Sequence, residues 1–235
     1  MSAEVSSSER SLVLVHGSWH GAWCWERIVD PLKSAGIDVF AVNLPLTSLE
    51  DDTAEVRRVV ASAGPDVVVC GHSYGGRLTS IVSDGAENVS HVVYLSSQAP
   101  NAKQLVAYRE SFRPGSMEIP DAQTLRAKYY SECSEADVEA AAARMRPMFS
   151  VPGSPEGLEF RPWEHIRSTY IVCTLDHAIE VDRQRAMAAN MDFITVVRAD
   201  HAPFYSASGE LIEALASIVR DDRPSGQSES ASTKR

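Results

Sequence analysis

Residues 67–83, VVVCGHSYGGRLTSIVS, carry the strongest chemical signal in the chain. A β-branched run passes straight into Gly71, His72, Ser73, Tyr74 and Gly75, and then into a helical stretch. A G-x-S-x-G segment between a strand and a helix is the context a nucleophilic serine requires. The serine must occupy a sharp, strained turn, and glycines on either side remove Cβ atoms that would collide with strand and helix. Ser73 would present its hydroxyl at the carboxyl edge of a sheet, where the first amides of the helix favour developing negative charge. A serine hydroxyl becomes reactive only when a positioned base takes its proton, and that base is usually histidine.

Seven histidines compete for the role. His16, His20 and His72 flank the first strand and the elbow, where they suit loop geometry. His91, His165 and His177 have no pattern of their own. His201 follows the last strand-like run after a short exit and precedes a helix, which is where the base belongs in Ser, Asp, His chain order. The base needs a carboxylate to fix its tautomer and stabilise its charged form. The run Val92–Leu95 is followed by Ser96, Ser97 and Gln98, with no acid, whereas Tyr170–Leu175 is followed at once by Asp176. Asp176 is therefore favoured over Asp200, which adjoins the base and must reach round to its ring, and over Glu180 and Asp182, which lie farther on. Acyl transfer also needs two amides for the oxyanion, each worth about a hundredfold to a thousandfold in rate. One is expected from Tyr74 and the other from Ser18, in the loop that leaves the first strand through His16 and Gly17.

These positions call for an alternating scaffold. The runs 12–15, 39–42, 67–70, 92–95, 170–175 and 194–197 are almost wholly apolar, the habit of strands buried on both faces of a parallel sheet. Helical signals fall between them at 22–35, 53–63 and 207–220, giving an α/β class with a doubly wound sheet. From Pro100 to Trp163 no strand-like run appears, and short helices are expected at 122–130 and 135–145. The expected organisation is an N-terminal tail at 1–10, a core at 11–99 and 165–221, a helical cap at 100–164 and a disordered tail at 222–235. Phe112, Met117, Tyr129 and Tyr130 of the insertion could line a cavity or simply pack; Trp19, Trp23, Met148, Phe149 and Trp163 are the candidate pocket walls.

The formal charge of -10 lies on the body of the chain, because 221–235 holds three acids and three bases. Such a surface disfavours nucleic acid and anionic membranes as partners. Neither a signal peptide nor a membrane span is legible, so a cytoplasmic protein is expected. Cys24, Cys70, Cys133 and Cys173 are scattered without zinc-site pairing and read as reduced core thiols.

The segments LVLVHGSWHGAWCW, CGHSYGG, TYIVCTLDHAI and RADHAPF resemble the α/β-hydrolase branch that holds plant methylesterases, hydroxynitrile lyases and small bacterial carboxylesterases. The likeness runs from about Leu12 to Val219 and is weakest through 101–161. It implies Ser73, Asp176 and His201 as a triad, Ser18 and Tyr74 as amide donors, no cofactor, and a homodimer as a possible assembly. Hydroxynitrile lyases of this type place Thr after the first-strand His and Lys after the catalytic His; here those positions hold Gly17 and Ala202. Without that cation the resemblance favours ester hydrolysis over cyanide release, and serine at the elbow argues against relatives that use Asp there. The expectation is a serine esterase acting on a small or medium apolar ester. Its rivals are a lactonase, thioesterase or acyl-transfer enzyme with the same triad, and a binding protein that keeps the fold without the chemistry.

Overall fold

A computed structural model describes residues 10–111, 118–148 and 158–221. Six strands, β1 (Ser11–Val15), β2 (Asp38–Ala41), β3 (Val67–His72), β4 (Val89–Leu95), β5 (Arg167–Cys173) and β6 (Phe193–Val197), form one sheet in the order β2-β1-β3-β4-β5-β6. Every pairing is parallel. β1, β3 and β4 are buried on both faces, as their unbroken apolar runs require.

Two cores cover the sheet. On one face Leu12, Leu14, Val68, Cys70, Val93 and Leu95 meet α1 (Glu26–Ser34), the short α8 (Pro203–Ser206) and α9 (Ser208–Arg220) through Ile28, Leu32, Phe204, Leu211 and Leu215. On the other, Val13, Val15, Val67 and Val69 meet α2 (Leu49–Ser62), α3 (Tyr74–Ser83) and α7 (Val181–Ala188) through Val56, Val60, Leu78 and Met187. Strand order reverses between β1 and β3, since β1 passes the chain to β2 on one side and β2 passes it to β3 on the other. Ligand crevices of open α/β sheets form at the carboxyl ends of strands around such a switch point.

Between β4 and β5 the described chain holds α4 (Ala102–Ser111), α5 (Ala122–Thr124) and α6 (Glu135–Ala142). The helix expected at 122–130 is not regular: three α-helical residues pass into a π-turn at Leu125–Tyr129, closed by Tyr130 N–H donating to Leu125 O at 3.1 Å. The segment is anchored on the α1/α9 core through Leu125, Tyr130, Val138, Ala141 and Met145. α2 begins at Leu49, earlier than its sequence signals suggest, because Ser48 caps it by accepting from Asp51 N. Phe112, Met117, Phe149 and the two terminal tails lie outside the described residues.

Candidate active site

Ser73 sits between β3 and α3 at φ 51° and ψ −118°. That conformation costs a non-glycine residue about 1–3 kcal/mol, so surrounding contacts must hold it. Ser73 N–H donates to Leu95 O at 3.2 Å, and Ser73 O accepts from Gly76 N and from Ser97 Oγ at 3.1 and 2.6 Å. The flanking glycines are required by space. A Cβ on Gly71 would lie 2.5 Å from the Gly75 carbonyl oxygen, and one on Gly75 would run into the carbonyl of Val15.

The structure brings the three residues singled out by the sequence together. Ser73 Oγ lies 3.0 Å from His201 Nε2, and His201 Nδ1 lies 2.7 Å from Asp176 Oδ2. All three side chains stand at the carboxyl ends of β3, β5 and β6. Asp176 is buried, which by itself pushes its carboxyl up. His201 and the hydroxyl of Ser96 outweigh burial and hold it below the ordinary carboxylate value. Oδ1 accepts from Ala178 N and Ile179 N at 2.7 and 3.0 Å; Oδ2 accepts from Gln184 Nε2 at 3.2 Å and from Ser96 Oγ. An anion so provided for is ionised when buried, and it accepts the Nδ1 proton, leaving Nε2 bare toward Ser73.

The other histidines near the elbow are structural and neutral. His72 donates from Nε2 to the carbonyl of His201 at 2.8 Å, tying the elbow to the backbone of His201; burial and then neighbouring imidazoles push it well below its ordinary value. Burial pulls His20 down to about 4. Its Nδ1 donates to Ser18 O at 2.6 Å and its Nε2 accepts from Tyr130 Oη at 2.5 Å. His16, pulled to about 3 chiefly by burial, accepts from Leu44 N at 3.1 Å and donates to Gly17 O at 2.8 Å. His16 and His20 stand four apart, a spacing that could suit a metal, but both nitrogens of each are engaged. Among the described residues no three His, Cys, Asp or Glu side chains converge as metal ligands.

The loop that carries Ser18 is fixed from two sides. Trp19 adopts φ 62°, and its carbonyl accepts from Arg146 N at 2.8 Å while the Arg146 guanidinium donates to Leu44 O at 2.8 Å. Tyr74 is anchored by its hydroxyl, which donates to Asp52 Oδ2 at 2.8 Å. Asp52, in the first turn of α2, is fully buried, and that burial pushes its carboxyl up.

Of the candidate pocket walls, Trp19 lies closest to the chemistry. Its ring meets Tyr129 edge-on at 5.6 Å, and Tyr129 meets His201 edge-on at 5.5 Å. Trp23 stacks on His20 at 5.3 Å beneath the Arg144 guanidinium. Met148 and Trp163 are buried in the α2/α3/α7 core, Trp163 against Tyr94. A groove of about 350 Å³ between α9 and the β6 edge, lined by His91, Phe193 and Ile218, contains none of the three central residues. Sequence reasoning met Ser96 only as part of a strand exit without an acid, did not single out Gln184, and left Tyr129 undecided between lining and packing.

The sequence model of the alpha/beta hydrolase family matches residues 12–214. The chain belongs to that family. It is 29% identical to methyl jasmonate esterase 1 of Vitis vinifera, across 90% of this chain and 97% of that protein. Identity to norfluorocurarine synthase 1 of Strychnos nux-vomica is 24%, across 91% and 97%. The crystal structure of polyneuridine aldehyde esterase superimposes with a TM-score of 0.77 at 24% identity, covering 89% of this chain and 98% of that one. Within this alpha/beta hydrolase, the insertion between β4 and β5 brings Tyr129 over the histidine, and the parallel sheet brings the other two residues to it.

Proposed function

We propose that this alpha/beta hydrolase is a serine carboxylesterase acting on small or medium apolar esters. The observation that carries the reading is the continuous path from Ser73 Oγ to His201 Nε2 and from Nδ1 to Asp176, at 3.0 and 2.7 Å. Ser73 attacks the ester carbonyl as His201 takes its proton, and Asp176 stabilises the imidazolium. The backbone amides of Ser18 and Tyr74 receive the oxyanion. His201 returns the proton to the leaving alcohol, and water, deprotonated by the same histidine, releases the acid. Trp19 and Tyr129 supply an apolar wall beside the reacting carbonyl, with 100–164 as the cap that shapes the rest. The four buried free thiols fit a reducing, cytoplasmic setting. A homodimer, implied by the resemblance alone, is checked by light scattering.

An organophosphonate probe followed by peptide mass spectrometry tests the nucleophile. The adduct is expected on Ser73 and is lost, together with turnover of p-nitrophenyl esters, in Ser73→Ala. Labelling elsewhere, or full activity in that variant, overturns the reading. A second reading keeps the triad but changes the acyl group to a lactone or thioester of a biosynthetic route. It is favoured by the likeness to a protein named a synthase as well as to one named an esterase. Weak turnover of simple esters beside strong turnover of lactones or acyl thioesters would select it.

A further inference from the structure

The exit of β4, which offers no acid, carries two consecutive serines that brace the site from opposite directions. Ser97 Oγ donates to the carbonyl of Ser73, while Ser97 N–H donates to Tyr170 Oη at 3.0 Å. Ser96 is fully buried and held at φ 38°, a conformation that glycine or asparagine would adopt at lower cost. Its backbone N–H donates to Ile171 O at 3.0 Å, so the strand pairing fixes where its side chain stands. The hydroxyl contacts Asp176 Oδ2, the same oxygen that takes the imidazole proton, and lies 3.4 Å from His201 Nδ1.

We propose that Ser96 is a positioning residue that locks the Asp176–His201 pair in the tautomer that leaves Nε2 free to take the proton of Ser73. The inference rests on the triad reading above and deepens it. A hydroxyl has one proton, and an ionised carboxylate can only accept. The Ser96 proton therefore goes to Asp176, and only oxygen lone pairs face His201 Nδ1. A ring with bare Nδ1 would meet lone pairs from both Asp176 and Ser96, so the proton stays on Nδ1. The hydroxyl also draws part of the carboxylate charge to itself. Without it more of that charge falls on the imidazolium, which then keeps its extra proton to higher pH. The 3.4 Å contact acts in the opposite sense but is much the longer of the two.

The other titratable groups around the pair come from every neighbouring element. His20 and His72 are held neutral by burial; Tyr129, Tyr170 and Cys173 are pushed up by burial and stay protonated. Asp200 faces away, and His177, Glu180 and Asp182 border the far side of Asp176.

The test compares Ser96→Ala and Ser96→Gly in the full chain, after circular dichroism establishes that each folds. The readouts are the kcat/KM profile against pH on p-nitrophenyl acetate and the rate of phosphonate labelling at Ser73. Both variants are expected to lose on the order of tenfold in kcat/KM. The acid-side midpoint is expected to rise by about half a unit to one unit. Ser96→Cys, a weaker donor, should fall between them and wild type. The proposal is overturned if the midpoint stays put in both, whether or not activity falls. It is also overturned if Ser96→Gly matches wild type while Ser96→Ala does not, which would make backbone strain the active element. Absence of label on Ser73 in the wild-type protein rejects the triad reading itself, whereas normal wild-type labelling with an unmoved profile rejects only the role of Ser96.

Discussion

Two buried aspartates stand on adjacent loops at the carboxyl edge of the sheet, Asp176 after β5 and Asp200 after β6. Asp200 directly precedes His201 in sequence, yet the ring belongs to Asp176, twenty-five residues away. Asp200 is turned back into the body. Its Oδ1 accepts from Ala202 N and Ser206 Oγ at 2.9 and 2.7 Å, and its Oδ2 accepts from Glu132 N at 2.8 Å. It thus clamps the loop that carries His201 to the segment that carries Tyr129 and Tyr130. Asp176 receives an equally full set of donors but spends one oxygen on the imidazole. The two loops show that one kind of buried carboxylate pairs with an imidazole or braces a loop according to which strand exit it leaves.

The sharpest way to break that distinction is to replace each acid by its amide. Asp176→Asn removes the acceptor that fixes the tautomer and is expected to lower kcat by about four orders of magnitude. It also places an NH₂ among buried donors, so a stability cost of about 1–3 kcal/mol accompanies the loss. Asp200→Asn turns an acceptor-only group into one whose NH₂ must face donors, leaving at least one buried polar pair unmatched. The expected cost is about 1–3 kcal/mol of stability by urea unfolding. Turnover should fall by no more than about tenfold, since no atom of Asp200 meets the ring. Equal losses of activity in the two variants would show that both carboxylates act on the histidine and would dissolve the comparison.

The contrast also separates what the sequence makes legible from what it does not. The parallel sheet could be read because its strands are buried on both sides and so carry unbroken apolar runs. Their starts could not: β5 begins at Arg167, ahead of the run at Tyr170, and buries Ser168 and Thr169. Those polar groups are satisfied by partners from other strands and loops, Ser168 by Asp192 at 2.9 Å and Thr169 by His91 at 2.8 Å, and no local pattern announces such pairs. Ser73, His201 and Asp176 were legible because the elbow needs glycines at fixed offsets and the three follow strand exits in a fixed order. Ser96 and Gln184 were not, because their contacts with Asp176 arise from the register between β4 and β5 and from the packing of α7. Tyr129 was named but not placed, since its orientation depends on a π-turn where a regular helix was the natural expectation. Asp52 carries no sequence signal of its own, because its burial beneath Tyr74 is set by how α2 packs on the elbow helix.

The smallest effect concerns the neutral imidazoles packed around and away from these loops. His16, His20, His72 and His91 all titrate below the ordinary value of 6.5, each through burial first; His16 falls to about 3 and His20 and His91 to about 4. As pH drops below 6.5 the unfolded chain takes up protons that the folded chain refuses, so stability is complete above 6.5 and is lost on acidification. Each histidine is expected to remove about 1.4 kcal/mol between pH 7.5 and 5.5. Four together remove roughly 5 kcal/mol, comparable to the whole stability of a small domain. The lowered Asp176 acts in the same direction but only as pH falls below its unfolded value near 3.8, toward its still lower folded value. His91 isolates the effect, because its Nε2 pairs with Thr169 on the sheet, far from Ser73. In His91→Gln, urea unfolding at the two pH values should lose about one quarter of the acid sensitivity while kcat at pH 7.5 stays unchanged. An undiminished slope would move the proton uptake to the elbow histidines, and with it the acid sensitivity of the fold to the site itself.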